Sequence, residues 1–187
     1  MISLKGEVKK QEQKQCYYGA EGKVQKTPLA GEPAQQQQPQ QSAGGRRGGG
    51  RVKQRIVENK VDEMKDYMER VAALVHEYVP PDPQKIQAAQ SAGNVSTQPA
   101  GAAVNLGIKN YLKPGDLLAI GFDAVAKQLT SYNVQSYVDK PKDDDVKLAV
   151  TFGRLQDDTS YPQQILLDVT AKQIQVKVTN SGYKKSS

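Results

Sequence analysis

The chain has 187 residues, so it is long enough to bury one hydrophobic core. Its formal net charge is +6, and its lysines are scattered rather than gathered in one basic block. Its single cysteine, Cys16, excludes an intrachain disulfide and a thiolate metal site. No apolar run approaches the length of a membrane span, and the sequence predicts a single domain over residues 1–187.

A strand is predicted at the very start of the chain. Ile2, Leu4 and Val8 are apolar residues set among polar ones, which is typical of a strand with one buried face. Domains seldom begin inside a strand, so we expect that an upstream segment, such as a signal peptide, is missing from this sequence. With that segment the protein would be exported, and with Met1 as the true start it would be cytoplasmic.

A β-hairpin is predicted next, from residues 16–18 and 23–29 around a glycine-containing turn. Pro28 is expected to end the returning strand because it cannot donate to a ladder. Residues 30–50 are rich in Gln, Gly and Arg and have no hydrophobic period, which predicts a disordered loop. Residues 184–187 are predicted to form a flexible tail.

A long amphipathic helix is predicted from residue 51 to about residue 79. Its apolar residues are spaced four and three apart, which places them on one side of a helix: Val57, Val61, Met64, Met68, Val71, Val75 and Tyr78. The side formed by these residues suits packing on a sheet.

A short second helix is predicted after the first. Pro80 and Pro81 stop the long helix, and Asp82 followed by Pro83 is a good N-cap and first helical position. We expect this helix to end near Gly93.

The rest of the chain predicts a series of strands separated by turns. Apolar residues alternate with polar ones within residues 104–108, 118–122, 129–138, 146–152, 165–169 and 174–178. The simplest pairing is an antiparallel meander with one apolar face and one wet face. The sequence therefore predicts an α+β fold: a curved antiparallel sheet of about eight strands, an incomplete barrel, with one long and one short helix packed on its concave face. The long helix would follow the second or third strand.

No catalytic motif, metal site or cofactor site is predicted. His76 is the only histidine and is expected to be a helix boundary residue, so no zinc set or Ser-His-Asp triad can be assembled. Asp143, Asp144 and Asp145 lack the spacing of a calcium loop and are expected to form a charged turn. No phosphate-binding glycine motif is present. We predict that the protein is not an enzyme, with an unrecognised pair of carboxylates as the alternative.

Residues 44–51 form a Gly- and Arg-rich segment that resembles an RGG-type nucleic-acid contact. Arg46, Arg47 and Arg51 could contact phosphates, but the segment has no interleaved aromatic residue. Nucleic-acid binding through these arginines is therefore a minor alternative, and a solubilising linker is the preferred interpretation.

The order hairpin, loop, helices and meander resembles periplasmic proteins of the outer-membrane lipoprotein carrier type. The resemblance rests on residues 2–29 with the turn at 17–23, and on residues 117–183 with the connection at 123–129. Residues 176–183 are also similar to the ends of uncharacterised exported bacterial proteins. The resemblance implies a periplasmic protein whose incomplete barrel folds around helices and holds acyl chains in the cleft between barrel and helices. It transfers no functional residue to this chain.

These observations give two main hypotheses. In the first, a lipid, lipoprotein or other apolar partner binds between sheet and helix, and contact with a membrane surface stays open; the candidate cleft residues are Met64, Met68, Val71, Val75, Ile120, Phe122 and Val150. In the second, the protein is a structural or protein-interaction module with a filled core. A cavity between the helix and the strands would separate the two hypotheses.

Overall fold

The computed structural model describes residues 1–18, 24–28 and 50–183. Within this part the fold is α+β, with two α-helices and a large antiparallel sheet that does not close, which confirms the predicted fold class. The loop predicted over residues 30–50 lies outside the described residues except for Gly50, and so does the predicted tail at 184–187.

The chain divides into two compact units, residues 1–10 with 65–187 and residues 11–64. The first unit contains the large sheet and the second contains a separate hairpin. The single domain expected over residues 1–187 stays a prediction.

The helices and strands have the following bounds. The helices are α1 (Gly50–His76) and α2 (Pro83–Ser91), and one turn of 3-10 helix spans Thr170–Lys172. The strands are β1 (Ile2–Leu4), β2 (Glu7–Lys10), β3 (Lys14–Tyr18), β4 (Val24–Pro28), β5 (Val95–Ala100), β6 (Ala103–Lys109), β7 (Leu117–Asp123), β8 (Gln128–Tyr137), β9 (Asp145–Arg154), β10 (Ser160–Val169) and β11 (Ile174–Thr179).

The large sheet has nine strands in the order β2-β1-β11-β10-β9-β8-β7-β6-β5. Strands β5 to β11 are neighbours in both sequence and space, so the predicted antiparallel meander is confirmed. The first strand of the chain joins the last, because β1 pairs antiparallel with β11. The sheet thus has nine strands, where about eight are predicted.

The predicted N-terminal hairpin is also present, as a separate two-stranded sheet of β3 and β4. Pro28 is the last residue of β4, as expected, and the turn at residues 19–23 lies outside the described residues. Helix α1 follows the fourth strand rather than the second or third, because β1 and β2 already form a hairpin through Lys5 and Gly6.

Strand β5 (Val95–Ala100) is absent from the strands that the sequence predicts, which begin at residue 104 after the second helix. Its sequence has one large apolar residue, Val95, and contains Pro99, so it lacks the usual strand pattern. It is an edge strand, and Asn94 accepts a hydrogen bond from the Lys109 backbone N–H. Hydrogen-bonded and non-hydrogen-bonded pairs alternate along an antiparallel ladder, so this bond makes Pro99 and Val104 a non-hydrogen-bonded pair. The Pro99 nitrogen therefore points toward the open edge, where no N–H donor is needed.

Both helices begin and end close to the predicted positions. Helix α1 ends at His76, three residues before the expected end. Asp82 is the N-cap of α2 and accepts a hydrogen bond of 2.8 Å from the Gln84 N–H, and Pro83 is the first helical residue.

The core lies between the C-terminal part of α1 and one face of the large sheet. The helix contributes Tyr67, Val71 and Leu74 and is followed by Tyr78; all four are buried. Cross-strand partners point to the same face of a sheet, so one face carries the buried strand residues Ile108, Leu118, Val134, Leu148, Val146, Val169 and Ile174. The large sheet thus has a helix on its apolar face, and the alternate positions form a more polar face.

Candidate functional site

A buried polar network holds the end of α1 against the sheet. The Tyr78 hydroxyl donates a hydrogen bond of 2.5 Å to the Asp116 carboxylate and lies 2.9 Å from Ser136 Oγ on β8. The same carboxylate accepts three backbone N–H groups at 2.7 to 2.9 Å, from Tyr111, Leu112 and Lys113. The Asp116 carboxylate therefore closes the turn between β6 and β7 and, through Tyr78, also anchors the end of α1.

The two tyrosines of this network are held in their neutral form. Burial and the hydrogen bond to Asp116 raise the pKa of Tyr78 well above its ordinary value. The Tyr132 hydroxyl donates to the Tyr78 backbone carbonyl, and burial raises the pKa of Tyr132. Neutral, fully engaged phenols are poor acid or base catalysts near neutral pH, so we interpret the network as an anchor.

A second anchor fixes the preceding turns of α1. Arg70 donates to both carboxylate oxygens of Asp139, in the turn between β8 and β9, at 2.8 Å. The centroid of the Tyr67 ring lies 5.5 Å from the Arg70 guanidinium and 5.4 Å from the Lys172 ammonium. From Tyr67 onward the helix therefore runs across the strands, from the turn between β10 and β11 toward the turn between β6 and β7, at one end of the sheet.

The same apolar face continues beyond α1 as a strip that we call the open apolar strip. The strip is formed by strand residues that are exposed or half-buried: Val104, Leu106, Ile120, Phe122, Leu129, Val150, Phe152, Ile165 and Val178. Phe122, Leu129 and Val178 are 37%, 40% and 39% exposed. The strip crosses from β6 to β11, and five strand spacings of about 4.8 Å make it about 24 Å long.

A β-bulge brings Leu129 into this strip. Gly121 pairs with Ser131 whereas Phe122 pairs with Leu129, so Thr130 is an extra residue on β8. Leu129 is three residues from Tyr132, and regular alternation would turn it to the other face. The bulge therefore places Leu129 beside Phe122 and enlarges the apolar surface.

The structure divides the predicted cleft residues into two groups. Ile120, Phe122 and Val150 lie in the open apolar strip. Val71 has no exposed surface and fills the contact between helix and sheet, and Met68 and Val75 of the same unit are half-buried. Met64 is half-buried in the other unit. Sequence reasoning missed Leu129 as a site residue, because a bulge residue such as Thr130 leaves no trace in a period-two pattern.

Two surface grooves lie away from these residues. One groove of ≈ 350 Å³ lies between α1 and two turns of the sheet and is lined by residues that include Ala73, Leu74, Leu112 and Val138. The other, of ≈ 300 Å³, is lined by Ser3, Asp168 and neighbours in β11. Neither groove is lined by the predicted cleft residues.

Two further observations concern the described residues alone. None of their His, Cys, Asp and Glu side chains gather in a group of three or more that could hold a metal ion. No helix in this part combines the length and apolar character needed to cross a membrane.

Comparison with known proteins adds no relative: no family model, no curated protein and no solved structure matches this chain.

Proposed function

We propose that the protein is a non-enzymatic binding protein that holds an acyl chain of a lipid or lipoprotein on the open apolar strip, beside α1. The observation that carries this proposal is the exposure of Phe122, Leu129 and Val178 on the same sheet face as the core. The proposal includes export to the periplasm, which rests on the resemblance to lipoprotein carriers.

The energetic basis is the burial of hydrocarbon against a surface that water now contacts. Each methylene removed from water contributes about 0.8 kcal/mol, so a chain lying along about 24 Å of apolar sheet could bind tightly without any polar contact. Two aromatic rings of this face, Phe122 and Phe152, add flat apolar area. The binding position differs from a cleft under the helix, because Val71 and Tyr78 leave no exposed surface there.

The second hypothesis, a protein-interaction module, is favoured by the same filled contact. Val71 and Tyr78 are fully buried, so the half of the sheet under α1 needs no ligand to complete its core. In this case the open apolar strip would be covered by a protein partner, and purified protein would carry no lipid.

Native mass spectrometry of protein exported behind a signal peptide, followed by organic extraction, separates the two hypotheses. A stoichiometric acyl species is the expected result. Protein that is bare after purification, and remains bare after incubation with phospholipid vesicles and palmitate, would contradict the lipid proposal.

Arginine substitutions at different positions test where a lipid would bind. We expect Phe122→Arg to abolish palmitate binding, because a guanidinium in the strip would have to be desolvated. Val8→Arg is the matched control, since Val8 is 55% exposed and pairs with Ser3 on the opposite face. Met68→Arg tests the alternative position under the helix: loss of binding in this variant alone would move the site there.

A further inference from the structure

The face of the sheet opposite α1 carries a continuous line of uncharged residues. Cross-strand partners run without a break from β5 to β11 and form what we call the polar row: Gln98, Asn105, Gly121, Ser131, Thr151, Gln164 and Thr179. Gly121 and Ser131 precede Phe122 and Tyr132, which lie on the helix side, so the row lies on the other face. Six strand spacings of about 4.8 Å make the row about 29 Å long.

The six side chains of the polar row are uncharged. Charged residues make up 25% of the chain, yet the row contains none of them. Solvent-facing surfaces usually mix charged side chains of both signs. Five of the six side chains are exposed and Ser131 is half-buried, and none has a side-chain hydrogen-bond partner within the described residues.

At the centre of the row three side-chain oxygens gather over Gly121. A Cβ atom at this position would lie 2.3 Å from Ser131 Oγ, 2.7 Å from Thr130 Oγ1 and 3.3 Å from Asn105 Oδ1. The glycine therefore makes room for hydroxyl and amide oxygens from β6 and β8. In the adjacent row on the same face, β6 and β7 carry the small residues Gly107 and Ala119.

We propose that the polar row binds a neutral oligosaccharide chain laid across the strands. Sugar hydroxyls donate and accept hydrogen bonds, and so do Ser and Thr hydroxyls and the amides of Asn and Gln. An uncharged row offers these groups to a neutral ligand without a charge that must be neutralised. A length of about 29 Å fits an extended polymer better than a compact metabolite. This surface is separate from the open apolar strip, so the two proposals stand or fall independently.

The test is a titration of the ¹⁵N-labelled full chain with maltohexaose, cellohexaose and N-acetylchitohexaose, followed by NMR. We expect saturable shifts of the backbone amides of Asn105, Ser131 and Thr151 with at least one hexasaccharide. The absence of such shifts with all three sugars, or shifts confined to the helix side of the sheet, would overturn the proposal.

Two variants check that the row itself makes the contacts. Asn105→Ala and Thr151→Ala should each weaken binding about fivefold, because each removes one hydrogen-bonding group. Gln135→Ala is the matched control, since Gln135 is exposed on β8 and shares the face but pairs with Lys147 in another row. Unchanged affinity in both row variants, or an equal loss in the control, would contradict the proposal. Phe122→Arg should leave sugar binding intact.

Discussion

Tyr78 and Asp116 lie 38 positions apart in the chain, and a buried hydrogen bond joins the Tyr78 hydroxyl to the Asp116 carboxylate. Tyr78 follows the last turn of α1, and Asp116 closes the turn between β6 and β7. This pair therefore connects the one long helix of the described residues with the meander. It fixes which half of the apolar face is covered and leaves the other half, with Phe122 and Leu129, in contact with water.

We expect Asp116→Ala to lower the free energy of unfolding by about 3 kcal/mol, since buried donors lose a charged acceptor. The donors are the Tyr78 hydroxyl and three backbone N–H groups. Urea denaturation measures the loss. Asp123→Ala is the control, because Asp123 accepts two N–H groups in a more exposed turn, where water can replace it. A loss in Asp123→Ala as large as in Asp116→Ala would contradict the role of burial.

Because Tyr78 and Tyr132 are buried in their neutral form, we expect the free energy of unfolding to fall at alkaline pH. The pKa values of Tyr78 and Tyr132 are raised in the folded protein, whereas unfolded tyrosine ionises near about pH 10. The stability they provide is thus fully present below about pH 10 and falls as the pH rises further. Urea denaturation between about pH 9 and 11 should show a shallower decline for Tyr78→Phe, which has one such group fewer. Parallel declines in variant and wild type would contradict this linkage.

The meander and the helices could be predicted from the sequence because each has a regular period. Val146, Leu148 and Val150 alternate along β9, and the Asp82–Pro83 pair marks the start of α2. Strand β5 could not be predicted in this way, since it is stabilised by pairing with β6 and its own side chains bury little apolar surface. An edge strand with Pro99 is specified by its neighbour more than by its own residues.

The candidate site was predicted only in part. Periodicity identified Ile120, Phe122 and Val150 as apolar strand residues, but it could not tell which of them α1 covers. That depends on contacts between residues far apart in sequence, such as Arg70 with Asp139 and Tyr78 with Asp116. Val71 shared the spacing of the other helix candidates and is nevertheless completely buried.

The covered half of the sheet can be tested with one buried and one exposed valine of the same helix. Val71→Ala should cost about 2 kcal/mol of unfolding free energy, because Val71 has no exposed surface and its loss leaves a cavity. Val61 is 48% exposed, so Val61→Ala should change stability by less than about 0.5 kcal/mol. Both variants gain the same helix propensity, which cancels in the comparison. Equal costs would show that Val71 is not part of a packed core.

The space above Gly121 can be tested by filling it. Gly121→Ala should lower the free energy of unfolding by about 1 kcal/mol, because the new methyl group would lie 2.3 Å from Ser131 Oγ and 2.7 Å from Thr130 Oγ1, so both side chains must move. Adding Ser131→Ala removes the nearest oxygen and should recover part of the loss, which a double-mutant cycle in urea measures as coupling between the two positions. Additive effects would mean that the Ser131 hydroxyl does not occupy the space that the glycine leaves.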